Sequence, residues 1–109
     1  MGEKHSDLIN KSRAAFLKWR ALPAPERGNY IRLFGEALRE QKKEVANQIT
    51  SEAKKIISES EGEVQEVIDM CDFATGLSRQ LYGLTMPSAR PNHRVQEIWQ
   101  PLFLVGCIT

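Results

Sequence analysis

The residues able to do chemistry are few in this chain, and their spacing assembles no catalytic set. The two histidines, His5 and His93, are far apart, and each is better explained as a solvated side chain than as an acid, base or metal ligand. The two cysteines, Cys71 and Cys107, match neither a metal-binding spacing nor a redox pair. We therefore expect no catalytic residue and no metal ion, and we expect reduced thiols, which favours the cytoplasm.

A row of four acids allows a second interpretation. These acids recur at every third position: Glu63, Glu66, Asp69 and Asp72. Because Glu66 and Asp69 would share a helix face, the row could form a metal or acid/base cluster. The alternative, which the sequence favours, is a solvated face whose charges complement a helix dipole. No glycine-rich phosphate loop occurs, since the glycines at 62, 76 and 83 lie in or beside helical sequence.

The charge balance excludes several classes of partner. Fifteen Lys and Arg stand against fourteen Asp and Glu among 109 residues, without a basic stripe. Nucleic-acid binding therefore lacks electrostatic support. No apolar run is long enough to span a bilayer, and the first residues lack the apolar core of a signal peptide, so we expect no membrane partner.

A long amphipathic helix, predicted over residues 59–82, would position the acids. Its apolar and small positions recur three and four residues apart: Val64, Val67, Ile68, Cys71, Ala74, Leu77, Ser78 and Leu81. Gly83 is expected to end this helix in the left-handed conformation. Shorter helices are predicted from Ser6 or Asp7 to the corner at Pro23 and from Pro25 onward. The apolar pattern that resumes at Lys42 indicates either a third short helix or a kink near Gln41. Residues 1–83 thus read as a mainly α segment of three to four helices.

After Gly83 the pattern changes to that of β-structure. Residues 84–101 predict a β-hairpin, because alternation around Val95 follows a turn-forming cluster at residues 88–92. Residues 102–109 are apolar on both faces, which is typical of a strand buried in a parallel sheet. Such a strand needs neighbours, so we expect a truncated piece of a larger α/β protein. We also expect a homo-oligomer that forms through the terminal strand or the hairpin.

Four stretches resemble the N-terminal third of NAD-dependent aldehyde dehydrogenases, closest to the antiquitin branch. They are the Trp19-Arg20 pair with the Pro-Ala-Pro-Glu-Arg-Gly run at 23–28, the Glu-Ala-Leu-Arg run at 36–39, the whole segment 62–79, and the Gln-Glu-Ile-Trp-Gln-Pro-Leu run at 96–102. The resemblance implies helices that flank the cofactor domain, an oligomerisation hairpin at 84–101, and residues 102–109 as the first strand of the dinucleotide-binding domain.

The family reaction implied by the resemblance is NAD-dependent oxidation of an aldehyde, here a semialdehyde, to a carboxylate. The resemblance places Glu66 at the substrate entrance, where a carboxylate would select an aldehyde with a cationic tail. It places Phe73 on the lining of the same tunnel. The catalytic cysteine, the general-base glutamate and the NAD site of the family have no counterpart in residues 1–109, and Cys107 does not match the nucleophile. We therefore expect neither activity nor NAD binding from this chain alone.

Two positions depart from the family pattern. Lys54 stands where the family usually has glycine, and since lysine favours helix, the third helix is expected to run on toward the long one. Phe103 stands where the family keeps a small residue. These departures leave open an alternative function, a self-associating helical interaction module with no enzymatic role.

Overall fold

Most of the described chain is helical. The computed structural model describes residues 2–108, with side chains from His5 to Ile108. Within that range lie α1 (Gly2–Trp19), α2 (Ala24–Glu40), α3 (Lys42–Ala53), α4 (Ile57–Leu77), β1 (Thr85–Pro87) and β2 (Arg94–Gln96). The expected mainly helical chain followed by a hairpin is confirmed. None of the helices among the described residues is apolar over enough of its length to cross a bilayer.

The chain divides into two compact units, and each is described by itself. The helical unit comprises Ala24–Gln80, and the other comprises the residues up to Pro23 together with those from Leu81 onward. The domain boundaries that the sequence suggests at residues 83 and 101 stay a prediction.

In the helical unit, α4 packs against both α2 and α3. The centre of this packing is a small cluster of Ala46, Val64 and Ile68, which are at most 2% exposed. Leu38, Val45 and Ile49 lie partly buried around it. The inner face of α4, defined by Ser60, Val64, Ile68 and Cys71, is the buried side of that helix.

Helices α2 and α4 come close together because α2 has glycine at two contact positions. A Cβ atom at Gly35 would lie 2.8 Å from the Cβ atom of Cys71, and one at Gly28 would lie 2.3 Å from Oγ of Ser78. Real Cβ atoms do not approach their neighbours so closely, so these positions need the absence of a side chain.

The predicted continuation of α3 into α4 is wrong. Helix α3 ends at Ala53, and Lys54 caps it in the left-handed conformation, with φ 58° and ψ 32°. Its backbone N–H donates to the carbonyl of Thr50 at 3.0 Å. The local preference of lysine for helix yields here to tertiary packing, because the turn lets Ala46 of α3 pack with Val64 and Ile68 of α4.

Helix α4 begins and ends earlier than the predicted range of 59–82. It runs from Ile57 to Leu77, with a right-handed cap at Ser78. Gly83 has no positive φ and does not cap the helix. Its role lies in the hairpin, where a Cβ atom would meet the Glu97 carbonyl oxygen at 1.7 Å. A glycine is therefore needed for close backbone approach at the base of the hairpin.

The hairpin forms where it is predicted, within the second unit. Strands β1 and β2 are antiparallel, with Met86 opposite Val95. The pairing extends to the base through the Glu97 N–H, which donates to the Leu84 carbonyl at 2.8 Å. The Trp99 indole N–H donates to the carbonyl of Tyr82 at 2.9 Å.

The terminal strand expected over residues 102–109 is not formed. Residues 97–108 have no regular secondary structure, and every residue from 102 to 108 is exposed, while Thr109 lies outside the described residues. A strand needs a hydrogen-bonded neighbour, and none of the described strands pairs with this segment. Its one aromatic anchor is Phe103, whose ring meets that of Phe16 on α1 edge to face at 5.0 Å. The Arg13 guanidinium lies 5.5 Å above the Phe103 ring.

Candidate functional site

The two site residues that the family resemblance implies lie on one side of α4. Glu66 and Phe73 are seven residues apart, which is close to two full turns, so their side chains share a face. Met70 lies four residues after Glu66 and three residues before Phe73, so it shares their face. We call the side that carries Glu66, Met70 and Phe73 the outer face of α4. Met70 is 56% exposed and Phe73 is 61% exposed, and Glu66 is exposed as well.

The outer face combines charged and apolar side chains and is open at both ends. Gly62 and Gly76 lie one turn before Glu66 and one turn after Phe73, and a Cβ atom built on either would meet nothing within 4 Å. Met70 and Phe73 therefore present apolar surface to solvent on this face. Sequence reasoning missed Met70, although its spacing from Glu66 and Phe73 placed it on the same face.

The acids of α4 do not converge. Glu63 pairs with Lys55, Asp69 accepts a hydrogen bond from the Gln65 amide, and Asp72 pairs with Arg39 at 3.0 Å. Three or more metal-ligating side chains come together nowhere in the part of the chain that the structure describes. Each of these three acids has a partner on the protein surface, and their exposure makes each pair weakly stabilising.

Glu66 differs from these three neighbours. Its carboxylate has no hydrogen-bond or ion-pair partner among residues 5–108. An exposed, unpaired carboxylate beside the apolar side chains of Met70 and Phe73 can recognise a molecule that carries both a cation and a hydrocarbon stem. The role that the resemblance implies for Glu66 stays a prediction.

The carboxylate of Glu63 instead holds the turn between α3 and α4. The pKa of Lys55 is raised above its ordinary value of 10.5, first by the hydrogen bond to Glu63 and then by the charge of that same carboxylate. Burial opposes the shift, and the more distant charge of Glu59 adds to it. Glu63 is therefore a structural partner of Lys55.

A small apolar hollow opens among the three helices of the helical unit. Its volume is about 260 Å³, and it is lined by Phe34, Leu38, Val45, Ile49, Val64 and Val67, with Glu63 at its edge. In the other unit, a depression of about 560 Å³ lies along α1 and is lined by Ala15, Phe16, Trp19, Leu22 and Phe103 among others. Neither hollow includes Glu66 or Phe73.

The remaining candidate residues are not part of the outer face. Cys71 is buried on the inner face of α4, and Cys107 is exposed in the terminal segment. The ring of His93 is fixed within its own turn, where Nδ1 lies 2.8 Å from the Pro91 carbonyl. His5 is exposed on α1. Neither histidine and neither cysteine is therefore a residue of the outer face.

A known family matches nearly the whole of this chain. The model described as the aldehyde dehydrogenase family matches residues 2–109. The chain therefore belongs to the aldehyde dehydrogenase family.

The relatives include members of the antiquitin branch. The chain is 48% identical over 107 residues to aldehyde dehydrogenase family 7 member A1 of Malus domestica. It is 46% identical over 105 residues to α-aminoadipic semialdehyde dehydrogenase of Rattus norvegicus. These matches cover 98% and 96% of this chain but 21% and 20% of those proteins. The chain thus spans about a fifth of the length of these relatives.

Solved structures agree with the sequence relatives. Lactaldehyde dehydrogenase from Escherichia coli matches 81% of this chain and 18% of its own, with a TM-score of 0.76 and 31% identity. An NAD-dependent benzaldehyde dehydrogenase from Corynebacterium glutamicum has the same fold over 79% of this chain and 18% of its own, with a TM-score of 0.71 and 22% identity. The helices and hairpin correspond to the N-terminal part of an aldehyde dehydrogenase fold, which confirms the family resemblance.

Proposed function

We propose that this chain supplies the substrate-entrance helix of an aldehyde dehydrogenase that oxidises a semialdehyde with NAD. In this proposal α4 is the helix, and its outer face lines the path by which the aldehyde reaches the reaction centre. Glu66 contacts the cationic end of the aldehyde, while Phe73 and Met70 contact its hydrocarbon stem. The nucleophile, the general base and the NAD site belong to parts of the enzyme outside the fifth of its length that corresponds to this chain.

The observation that supports this proposal is the unpaired state of Glu66. Glu63, Asp69 and Asp72 on the same helix have polar partners, whereas Glu66 is exposed beside two large apolar side chains that are also exposed. A carboxylate that is free in the protein keeps its full capacity to pair with a cationic substrate. Rejection of a neutral analogue then follows, because the analogue leaves that charge without a partner when it displaces water.

A chimeric enzyme tests this proposal. The corresponding N-terminal segment of the rat α-aminoadipic semialdehyde dehydrogenase is replaced by this chain, which is 46% identical to it. Oxidation is then followed as NADH formation with an amino-bearing aldehyde and with a neutral aldehyde of equal length. We expect Glu66→Gln to lower kcat/KM for the amino-bearing aldehyde by about tenfold or more, the cost of losing a hydrogen bond to a charged group.

The matched control is Glu61→Gln, which removes an acid from the same helix. Glu61 lies about 140° around α4 from Glu66, so it is off the outer face. The Glu61→Gln chimera should keep the preference for the amino-bearing aldehyde. An equal loss with both aldehydes in the Glu66→Gln chimera would contradict the assigned role, because it would indicate a general disturbance of the enzyme.

The exposed terminal segment supports the second candidate function, a self-associating module. Leu102 is 79% exposed and Ile108 is fully exposed, so association with another copy would remove apolar surface from water. The exposed hairpin edges offer a second route to a homo-oligomer. Light scattering after size exclusion tests the first route: deletion of residues 102–109 should convert a dimer or larger species into a monomer. A monomeric intact chain would exclude this function.

A further inference from the structure

The connection between α3 and α4 lacks the residues that normally break a helix. It consists of Lys54, Lys55 and Ile56, without glycine or proline. Lys54 is held at φ 58°, a conformation that costs free energy in every residue with a Cβ atom. Ile56 precedes α4 without making a side-chain cap hydrogen bond. The residues of the connection therefore disfavour the turn between α3 and α4 that the structure contains.

The apolar pattern continues through the turn in a single phase. At 100° per residue, eleven apolar or buried positions from α3 to α4 would fall within an arc of about 140° on one continuous helix, and Met70, Phe73 and Leu77 would lie outside it. The eleven positions are Val45, Ala46, Ile49, Ala53, Ile56, Ile57, Ser60, Val64, Val67, Ile68 and Cys71. A straight helix from Lys42 to Leu77 would extend for about 54 Å with one apolar stripe. The same sequence thus fits both a bent and a straight arrangement.

A straight helix would break the contacts that hold α3 against α4 within one chain. The Thr50 and Ser60 hydroxyls are hydrogen-bonded at 2.8 Å, and the Lys42 ammonium donates to the Gln65 side-chain oxygen at 2.8 Å. Ala46 also packs with Val64 and Ile68. A second copy in the straight state presents the same groups, so each lost contact can be remade between two chains.

We propose that the α3–α4 turn opens into one continuous helix and that two copies of this chain thereby exchange α4 together with the residues that follow it. In the exchanged dimer, the inner face of α4 in each chain packs against α2 and α3 of the second copy. The interface is isologous, since the same surfaces meet from both sides. This proposal does not depend on the proposed function, because it uses the inner face of α4 and leaves Glu66 on the outer face.

The equilibrium between the bent monomer and the exchanged dimer depends on the α3–α4 turn and on protein concentration. The exchanged dimer releases Lys54 from its left-handed conformation and adds the three connecting residues to a helix. The dimer loses the exposed Lys55–Glu63 pair. It also loses the translational and rotational freedom of two separate chains. All the contacts between α4 and its neighbouring helices are otherwise kept, so small changes at position 54 should shift the balance strongly.

A disulfide trap distinguishes exchange from every other association. Thr50→Cys and Ser60→Cys replace the two hydrogen-bonded hydroxyls with thiols, and Cys71→Ala and Cys107→Ala remove the natural ones. The full-length variant is incubated at increasing concentration, oxidised, and run on a denaturing gel without reductant. A bent monomer gives a disulfide within one chain, whereas an exchanged dimer gives a covalent dimer at twice the mass.

The hinge variants supply the decisive comparison in this background. Lys54→Gly accepts the left-handed turn and weakens the straight helix, so it should lower the dimer equilibrium constant by about tenfold or more. Lys54→Ala keeps helix propensity without relieving the turn, so its covalent dimer should equal or exceed that of the parent. Circular dichroism verifies that both variants are folded. The proposal is overturned if the parent yields only monomer at every concentration, or if Lys54→Gly yields as much covalent dimer as Lys54→Ala.

Discussion

Addition of one methyl group at Gly35 should destabilise the chain, although the same change elsewhere on its helices should stabilise it. Gly35 lies in the interior of α2, where Gly→Ala alone gains about 1 kcal/mol of helix propensity. The new Cβ atom would, however, lie 2.8 Å from the Cβ atom of Cys71. Overpacking of this kind costs about 1–3 kcal/mol, because one of two packed helices must move.

The matched control is Gly62→Ala in α4. A Cβ atom at Gly62 meets nothing within 4 Å, so this variant keeps the gain in helix propensity and has no clash. We expect Gly62→Ala to raise the free energy of unfolding by about 0.5–1 kcal/mol and Gly35→Ala to lower it by up to about 2 kcal/mol, the clash cost less the gain in helix propensity. Urea unfolding followed by circular dichroism, at one fixed protein concentration, measures both values.

A second comparison identifies the atom responsible. The clash is with Cβ of Cys71, whereas its Sγ atom is 3.6 Å from the added methyl group. Cys71→Ala should therefore leave the cost of Gly35→Ala unchanged, while Cys71→Gly should remove most of it in the double variant. Equal stability of Gly35→Ala and Gly62→Ala would refute the reasoning, since both changes would then act through helix propensity alone.

Two further predictions concern the link between α3 and α4. Thr50→Val should lower the free energy of unfolding by about 1–2 kcal/mol, because fully buried Ser60 loses its hydroxyl partner, while adding Ser60→Ala should recover much of the loss; urea unfolding of both variants tests this. The pKa of Lys55 is raised in the folded chain, so the stability that its pair with Glu63 contributes is complete below pH 10.5 and is lost as pH rises through the folded pKa. Glu63→Gln should remove that alkaline loss, and unfolding curves on either side of pH 10.5 that change equally with and without Glu63 would contradict the assignment.

Sequence patterns predicted the parts of the fold that local physics determines. The spacing of Val64, Ile68 and Cys71 predicted the buried side of α4, and those residues lie on its inner face. Val67, Ala74 and Leu81, which belong to the same predicted stripe, are exposed. Alternation and turn residues likewise predicted the hairpin, and Pro87 lies at the end of β1, where a missing N–H costs least. These features need only the residues of one element, so they can be inferred without knowing its neighbours.

The features that were missed depend on contacts between distant residues. Gly83 carries the sequence signature of a helix end, yet its position is determined by the Glu97 backbone 14 residues later. Lys54 has the propensity to continue a helix, yet packing of α3 on α4 forces it to end one. The left-handed lysine could be found only from the fold, because it contradicts the local preference of that residue.

The candidate site and the proposed exchange between two copies use different faces of α4, so each can be changed without the other. The inner face is covered in both arrangements of the α3–α4 turn, since exchange replaces intrachain contacts with equal contacts from a second copy. The outer face takes part in neither arrangement, so Glu66, Met70 and Phe73 stay accessible in both. A change at Glu66 should therefore alter the choice of aldehyde in the chimera without altering the disulfide trap. A change at Lys54 should do the reverse, because it moves the hinge and leaves the outer face as it is.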